Sequence, residues 1–164
     1  MGSAFMLGCS PVLDWREVRP EGTELVALFP CKPKSRQREV TLGGKAAKMT
    51  MAACETGDLT FALGFSDVAD PAQVKTALGA LWATTAGNVA GKVQQQNQPS
   101  IPGMTPNDEA VRLLIEGQLP TGSVTHIATM LFVRGTVVFQ ASVVGASLDD
   151  GAVDIFFSSL KFGG

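Results

Sequence analysis

The amino-acid sequence predicts an α+β fold, an antiparallel β-sheet flanked by helices. Three observations lead there. Most of the chain alternates apolar with polar or small residues at a period of two, as strands do. Short turns rich in Gly, Pro and Asp separate these runs, so consecutive strands pair antiparallel; 18 Gly and 9 Pro supply the turns. The apolar spacing changes to three and four only after Asp70 and after Ser147, which predicts two helices. A length of 164 residues suits one domain able to bury its own core. An apolar share of 45% against 17% charged residues is that of a globular chain.

The elements follow in order. Residues 10–23 read as a lead-in broken by Pro11, Pro20 and Gly22, with Trp15 and Val18 as its anchors on the body. Glu24–Phe29 is a short apolar run ending at Pro30, a buried strand. Pro30–Lys34 is a loop stiffened by its prolines. Arg36–Leu42 has one polar face and suits an edge strand, and Gly43-Gly44 is a hairpin turn. Ala46–Glu55 alternates, Thr56-Gly57-Asp58 turns, and Leu59, Phe61, Leu63 and Phe65 mark the next strand. Asp70-Pro71 is an N-cap followed by proline at the first helical position. Val74, Leu78, Leu81, Trp82, Thr85 and Val89 then form one helical face, with Gly91 as the stop.

Gln94–Thr105 is a polar connection that suits an edge strand or a loop. Val111, Leu113 and Ile115 begin another strand, read so despite the neighbouring Glu and Arg because a further alternating run follows the turn at Pro120–Ser123. That run sets Ile127, Thr129, Leu131 and Val133 against His126, Ala128, Met130 and Phe132. Arg134-Gly135 turns into the valine-rich strand Thr136–Val144. Ser147 is the expected cap of the final helix, with Asp149 and Asp150 at the positive end of its dipole. Its buried face is Ala152, Val153, Phe156, Phe157 and Leu160.

Cellular location is the property on which the sequence speaks most directly. Met6-Leu7-Gly8-Cys9 resembles the lipobox of bacterial lipoproteins, in which the cysteine is acylated and becomes the first mature residue. No Lys or Arg precedes it and its apolar stretch is short, so residues 1–9 are read as the remnant of a lipoprotein signal, with Cys9 the lipidation site; a chance cysteine in a disordered start is the other reading. The expectation is a periplasm-facing lipoprotein of the bacterial envelope, held to a membrane by its N-terminal lipid. Cys31 and Cys54 then remain as an even pair. In an oxidising compartment they suit one structural disulfide; two buried thiols or a reactive Cys31 are the other readings.

Chemistry is sparse. A formal charge of −2 lacks the basic excess that nucleic-acid binding needs. His126 is the single histidine and has no ligand or relay partner near it in sequence, so it reads as an ordinary strand histidine. Asp149, Asp150 and Asp154 could mimic an acidic metal site, but helix-end electrostatics already explains the first two. Arg16, Glu17 and Arg19 flank Trp15 and suit docking of the lead-in more than recognition. No catalytic residue, metal or cofactor is expected, and the chain reads as a non-enzyme. Lys32, Lys34, Arg36 and Arg38 form the densest basic cluster. They suit anionic headgroups beside the anchor or an acidic partner, though the charged edge that keeps a sheet soluble is the first explanation of such a run.

An opening strand ended by proline, a meander, a central amphipathic helix, a hairpin and the terminal Ile155-Phe156-Phe157-Ser158-Ser159-Leu160 helix together resemble the PsbP-like α/β/α sandwich. The resemblance covers about residues 24–162 of the single domain 24–164. It implies helices on both faces of the sheet and, since proteins of this fold are mostly binding and assembly factors, a role in binding or scaffolding another envelope component. The alternative is a carrier of a small molecule or lipid in a cleft between sheet and helix. Fold alone does not assign either.

Overall fold

Alternation becomes strand wherever the sequence carries it. The computed structural model describes residues 13–87 and 89–163, and among them two antiparallel sheets and two α-helices build an α+β architecture. The chain opens with β1 (Arg16–Val18) and β2 (Leu25–Phe29). It continues through β3 (Lys34–Leu42), β4 (Lys45–Thr56) and β5 (Leu59–Asp67). A single 3-10 turn, Pro71–Gln73, leads into α1 (Val74–Gly87). Then come β6 (Lys92–Asn97), β7 (Val111–Gln118), β8 (Val124–Arg134) and β9 (Val137–Gly145). The chain closes with α2 (Asp150–Ser159) and β10 (Lys161–Phe162).

The large sheet has seven strands in the order β3-β4-β5-β9-β8-β7-β6. Three hairpin-linked strands lie on one side of β9 and three on the other, with Leu63 of β5 opposite Ala141 of β9. Strands β3 and β6 are its edges. The second sheet, β1-β2-β10, is small, and it absorbs the lead-in: Arg16 pairs with Phe29 and Val18 with Ala27. Residues 16–18 are therefore a strand of the same body, where the sequence suggests a docked segment. Trp15 meets the Phe61 ring edge-on at 5.9 Å, and both Trp15 and Val18 pack on the core.

The two faces of the large sheet carry separate apolar clusters. On one, Val74, Ala77, Leu78 and Leu81 of α1 pack on Leu113, Ile115, Leu131 and Val133. On the other, Val153, Phe156 and Phe157 of α2 and Phe29 of β2 pack on Phe61, Met130, Phe132 and Phe139. Leu131 and Phe132 are adjacent residues buried on opposite faces, which is why β8 reads as nearly continuous apolar sequence. Aromatic contacts concentrate on the α2 side: Phe132 stacks on Phe139 at 5.1 Å, and Phe156 meets Phe29 at 5.2 Å and Phe61 at 5.5 Å. Such pairs contribute about 0.5–1.5 kcal/mol each beyond area burial.

Two helix ends differ from the sequence expectation. α2 is capped by Asp149, whose carboxylate accepts from the Ala152 amide at 3.1 Å, and not by Ser147. The chain leaves β9 at Gly145 and needs the intervening residues to reach the helix axis, which places Asp149 at the turn. α1 ends at Gly87 rather than Gly91; Ala90 takes φ 45° and the Gly91 amide donates to the Ala86 carbonyl at 2.9 Å, closing the end as a C-cap does. Asp70 acts as the sequence suggests, accepting from the Ala72 amide at 2.9 Å. The polar connection after α1 holds the exposed edge strand β6, whose Gln95 and Gln96 pair with Leu114 and Leu113.

Candidate functional site: the basic margin of the sheet

Strand β3 is built as a margin. Its residues from Lys34 to Glu39 are all exposed, since it has a neighbour on one side only. Its register on β4 is set by the turn. Gly43 and Gly44 have φ of 60° and 84°, the two positive values of a type I′ turn that L side chains resist. Leu42 and Lys45 flank this turn as a pair, and Arg38 and Arg36 fall opposite Met49 and Met51.

Because alternate residues share a face, Lys34, Arg36 and Arg38 project together on the side of the sheet that carries α1, spaced about 6.6–6.8 Å apart. Lys32 lies just before them in the loop. An open groove of about 750 Å³ follows this face, with Met51, Ala53 and, at its Lys32 end, Glu55 among its lining beside Lys34, Arg36 and Arg38. A second, of about 810 Å³, lies on the other face between β3 and the lead-in, where Ser35, Gln37, Thr50, Ala52 and half-buried Phe65 meet Arg19. Lys32, Arg36 and Gln37 line both, so open space flanks the strand on each side.

Charge separates along the chain. Of the 13 Lys and Arg residues, Arg16, Arg19, Lys75, Arg112 and Arg134 are ion-paired. Lys32, Lys34, Arg36 and Arg38 have no ion pair among the described residues, nor do Lys45 and Lys48 on the facing strand. Residues 32–56 carry these six cations against Glu39 and Glu55, a net of +4; with −2 for the whole chain, the rest carries −6. Sequence inspection misses Lys45 and Lys48 at this margin. The Gly43-Gly44 turn is the signal that brings them there: it folds Lys45 back beside Leu42, on the face of Lys34, Arg36 and Arg38, and Lys48 beside Glu39, on the opposite face.

The cysteines frame the same margin. Cys31 and Cys54 are bonded, with Sγ atoms 2.17 Å and Cα atoms 5.9 Å apart. The link ties the loop that leaves the small sheet to β4 of the large one, at the start of β3. Cys54 is buried and Cys31 half-buried. Cys9 lies outside the described residues.

The remaining candidates take structural places. His126 Nδ1 lies 2.8 Å from the Ala146 carbonyl oxygen, and Nε2 lies 3.8 Å from Glu116 on the paired strand β7. Glu116 is a neighbour that sequence distance conceals. Asp149 caps α2, and Asp154 faces Arg112 at 3.7 Å. Among the described residues no group of three or more His, Cys, Asp or Glu side chains is placed to hold a metal ion, and no helix is long and apolar enough to cross a membrane. Arg16 and Arg19 are engaged by Asp14 and Glu17 at 2.6 and 3.0 Å.

No family model and no curated protein matches the chain. Among solved structures, a crystal structure of a protein of unknown function from Pseudomonas aeruginosa is similar over 85% of each chain, with 11% identity and a TM-score of 0.45.

Proposed function

We propose that this chain is a non-catalytic binding protein of the bacterial envelope, a PsbP-like domain tethered through lipid on Cys9, that holds an acidic protein partner on the margin of β3. One observation carries the partner reading: Lys32, Lys34, Arg36 and Arg38 stand exposed, side by side and without ion pairs among the described residues, whereas Lys92 and Lys161, the other unpaired cations outside this margin, stand singly, and the cations of the lead-in, α1, β7 and the end of β8 each have a carboxylate. Solubility alone asks for charge at an edge; a strip of a single sign flanked by grooves also steers and orients an oppositely charged partner. Location rests on Met6-Leu7-Gly8-Cys9, and a Cys31–Cys54 bond suits an oxidising compartment. The layering of α1 and α2 on opposite faces of the sheet supports the PsbP-like reading. A contact surface is favoured over a carrier cleft because Leu78 and Leu81 fill the interval between α1 and Leu131 and Val133.

Two comparisons test this. The native precursor and its Cys9→Ala variant are fractionated; the precursor should follow membranes and the variant the soluble periplasm, and equal solubility of both would end the lipoprotein reading. The reversal Lys32→Glu/Lys34→Glu/Arg36→Glu/Arg38→Glu should abolish salt-sensitive capture of envelope partners while leaving the melting temperature near that of the parent. Capture unchanged by the reversal would remove this margin from the function.

A further inference from the structure

We propose that β3 is a receiving edge: it takes an extended segment of the partner as an eighth, antiparallel strand, and selects one with carboxylates at every second position. This deepens the reading of an acidic partner at the same margin and rests on it.

In a two-residue type I′ hairpin the pair flanking the turn is hydrogen-bonded. Leu42 and Lys45 are that pair. Pair types alternate along an antiparallel ladder, so Val40, Arg38, Arg36 and Lys34 also turn their backbone amides and carbonyls toward β4. Thr41, Glu39, Gln37 and Ser35 then turn theirs outward. No described residue takes up these outward groups: β3 ends the sheet, and no backbone bond of a turn, loop or cap reaches residues 34–42. An open row of donors and acceptors is a template for an added strand.

The same alternation defines what is added. An incoming strand would exchange hydrogen bonds with Ser35, Gln37 and Glu39. Its residues opposite Lys34, Arg36 and Arg38 would then sit in non-hydrogen-bonded pairs, the closer kind, with side chains on the cation face. Carboxylates at those three positions meet three cations, with Met51 and Ala53 beside them. The intervening residues turn to the opposite face, where Thr50, Ala52 and Phe65 form the floor and Arg16, Arg19, Glu17 and Glu21 of the lead-in, charges of both signs, form the far wall; small or β-branched side chains suit that floor. A slip by one residue would take every carboxylate off the row of Lys34, Arg36 and Arg38. Edge pairing supplies attachment and the cations supply the register.

The test uses the domain with its disulfide intact and capped, fluorescently labelled nine-residue peptides, read by anisotropy at low salt. One peptide alternates Glu with Thr and Val; an isomer of identical composition holds its Glu residues contiguous. Two further versions of the alternating peptide are N-methylated, one at the Thr and Val amides that would face β3, the other at the Glu amides that would face away. The alternating peptide should bind, and both the contiguous isomer and the inward-methylated version should bind about tenfold more weakly or worse, with the outward-methylated version close to the parent. On the protein side, Gln37→Pro deletes one outward donor at an edge position that tolerates proline and should weaken binding by about tenfold; if that variant does not fold, the methylated peptides decide. Equal binding of the two isomers, or indifference to which amides are methylated, would overturn strand addition and leave a charge-only acidic contact standing. Failure of every acidic peptide to bind, or binding unchanged in the fourfold charge reversal, would overturn the strand and the acidic-partner reading together. Preference for phosphatidylglycerol vesicles over all peptides through the same four cations would assign the margin to lipid and overturn the proposal.

Discussion

Removing the covalent tie with Cys31→Ala/Cys54→Ala measures how much the fold depends on it. The two residues are separated by 23 positions, and the loop they close contains all of β3, the Gly43-Gly44 turn and most of β4. In the chain-entropy account, opening a loop of this length frees the unfolded chain by about 3 kcal/mol. For a domain of this size each kcal/mol moves the melting temperature by roughly 2–4 °C, so a fall of about 6–12 °C is expected. Reduction of the parent protein leaves the sulfurs in place and should give most of that fall, which separates the crosslink from the packing lost when buried Cys54 is truncated. Melting followed by circular dichroism, with and without reductant, reads the effect. Thiol counting after unfolding without reductant should find one reactive group in the unlipidated protein, Cys9, out of three cysteines. Three reactive thiols in protein made in an oxidising compartment would refute the bond. A bonded protein whose melting temperature falls by less than about 2 °C on reduction would refute the entropy argument.

Other substitutions probe the caps, the core and the histidine. Asp149→Ala should cost about 1 kcal/mol through loss of the α2 cap, whereas Ser147→Ala should change stability little; the reverse order in chemical denaturation would move the cap back to Ser147. Phe61→Ala removes a fully buried ring set edge-on to both Trp15 and Phe156, and should cost about 3–5 kcal/mol. In a Trp82→Phe background it should also red-shift Trp15 emission, and an unshifted spectrum would mean that the lead-in docks without Phe61. His126→Ala removes the side chain bonded to the Ala146 carbonyl and should leave the fold and cellular role nearly intact. Loss of the cellular role in a folded His126→Ala protein would reopen an enzymatic reading.

Local pattern carried most of the secondary structure. Leu59, Phe61, Leu63 and Phe65 declare a strand because every second residue meets the core, and Asp70-Pro71 declares a helical start because capping is a contact between neighbours. The polar face of residues 36–42 also marked an edge before any neighbour was known. The lead-in strand escaped because three residues, Arg16–Val18, have too short a pattern to read. The α2 cap escaped because Ser147 and Asp149 are both competent caps, and the path of the chain out of β9 chooses between them.

What the sequence alone determined is therefore what depends on neighbours in the chain: alternation, turns, the terminal aromatic helix and the run of cations from Lys32 to Arg38. Tertiary structure decided what depends on distant residues. It set β5 beside β9 across the intervening α1, β6, β7 and β8, brought Cys31 to Cys54, and placed Glu116 near His126. It also determined that, among the described residues, five Lys and Arg side chains find carboxylates while those of the β3 margin do not. Strand pairing and charge pairing are contacts across space, so the residues that make them carry no local mark of their partners. The open backbone of β3 is such a property: it exists because the sheet ends there.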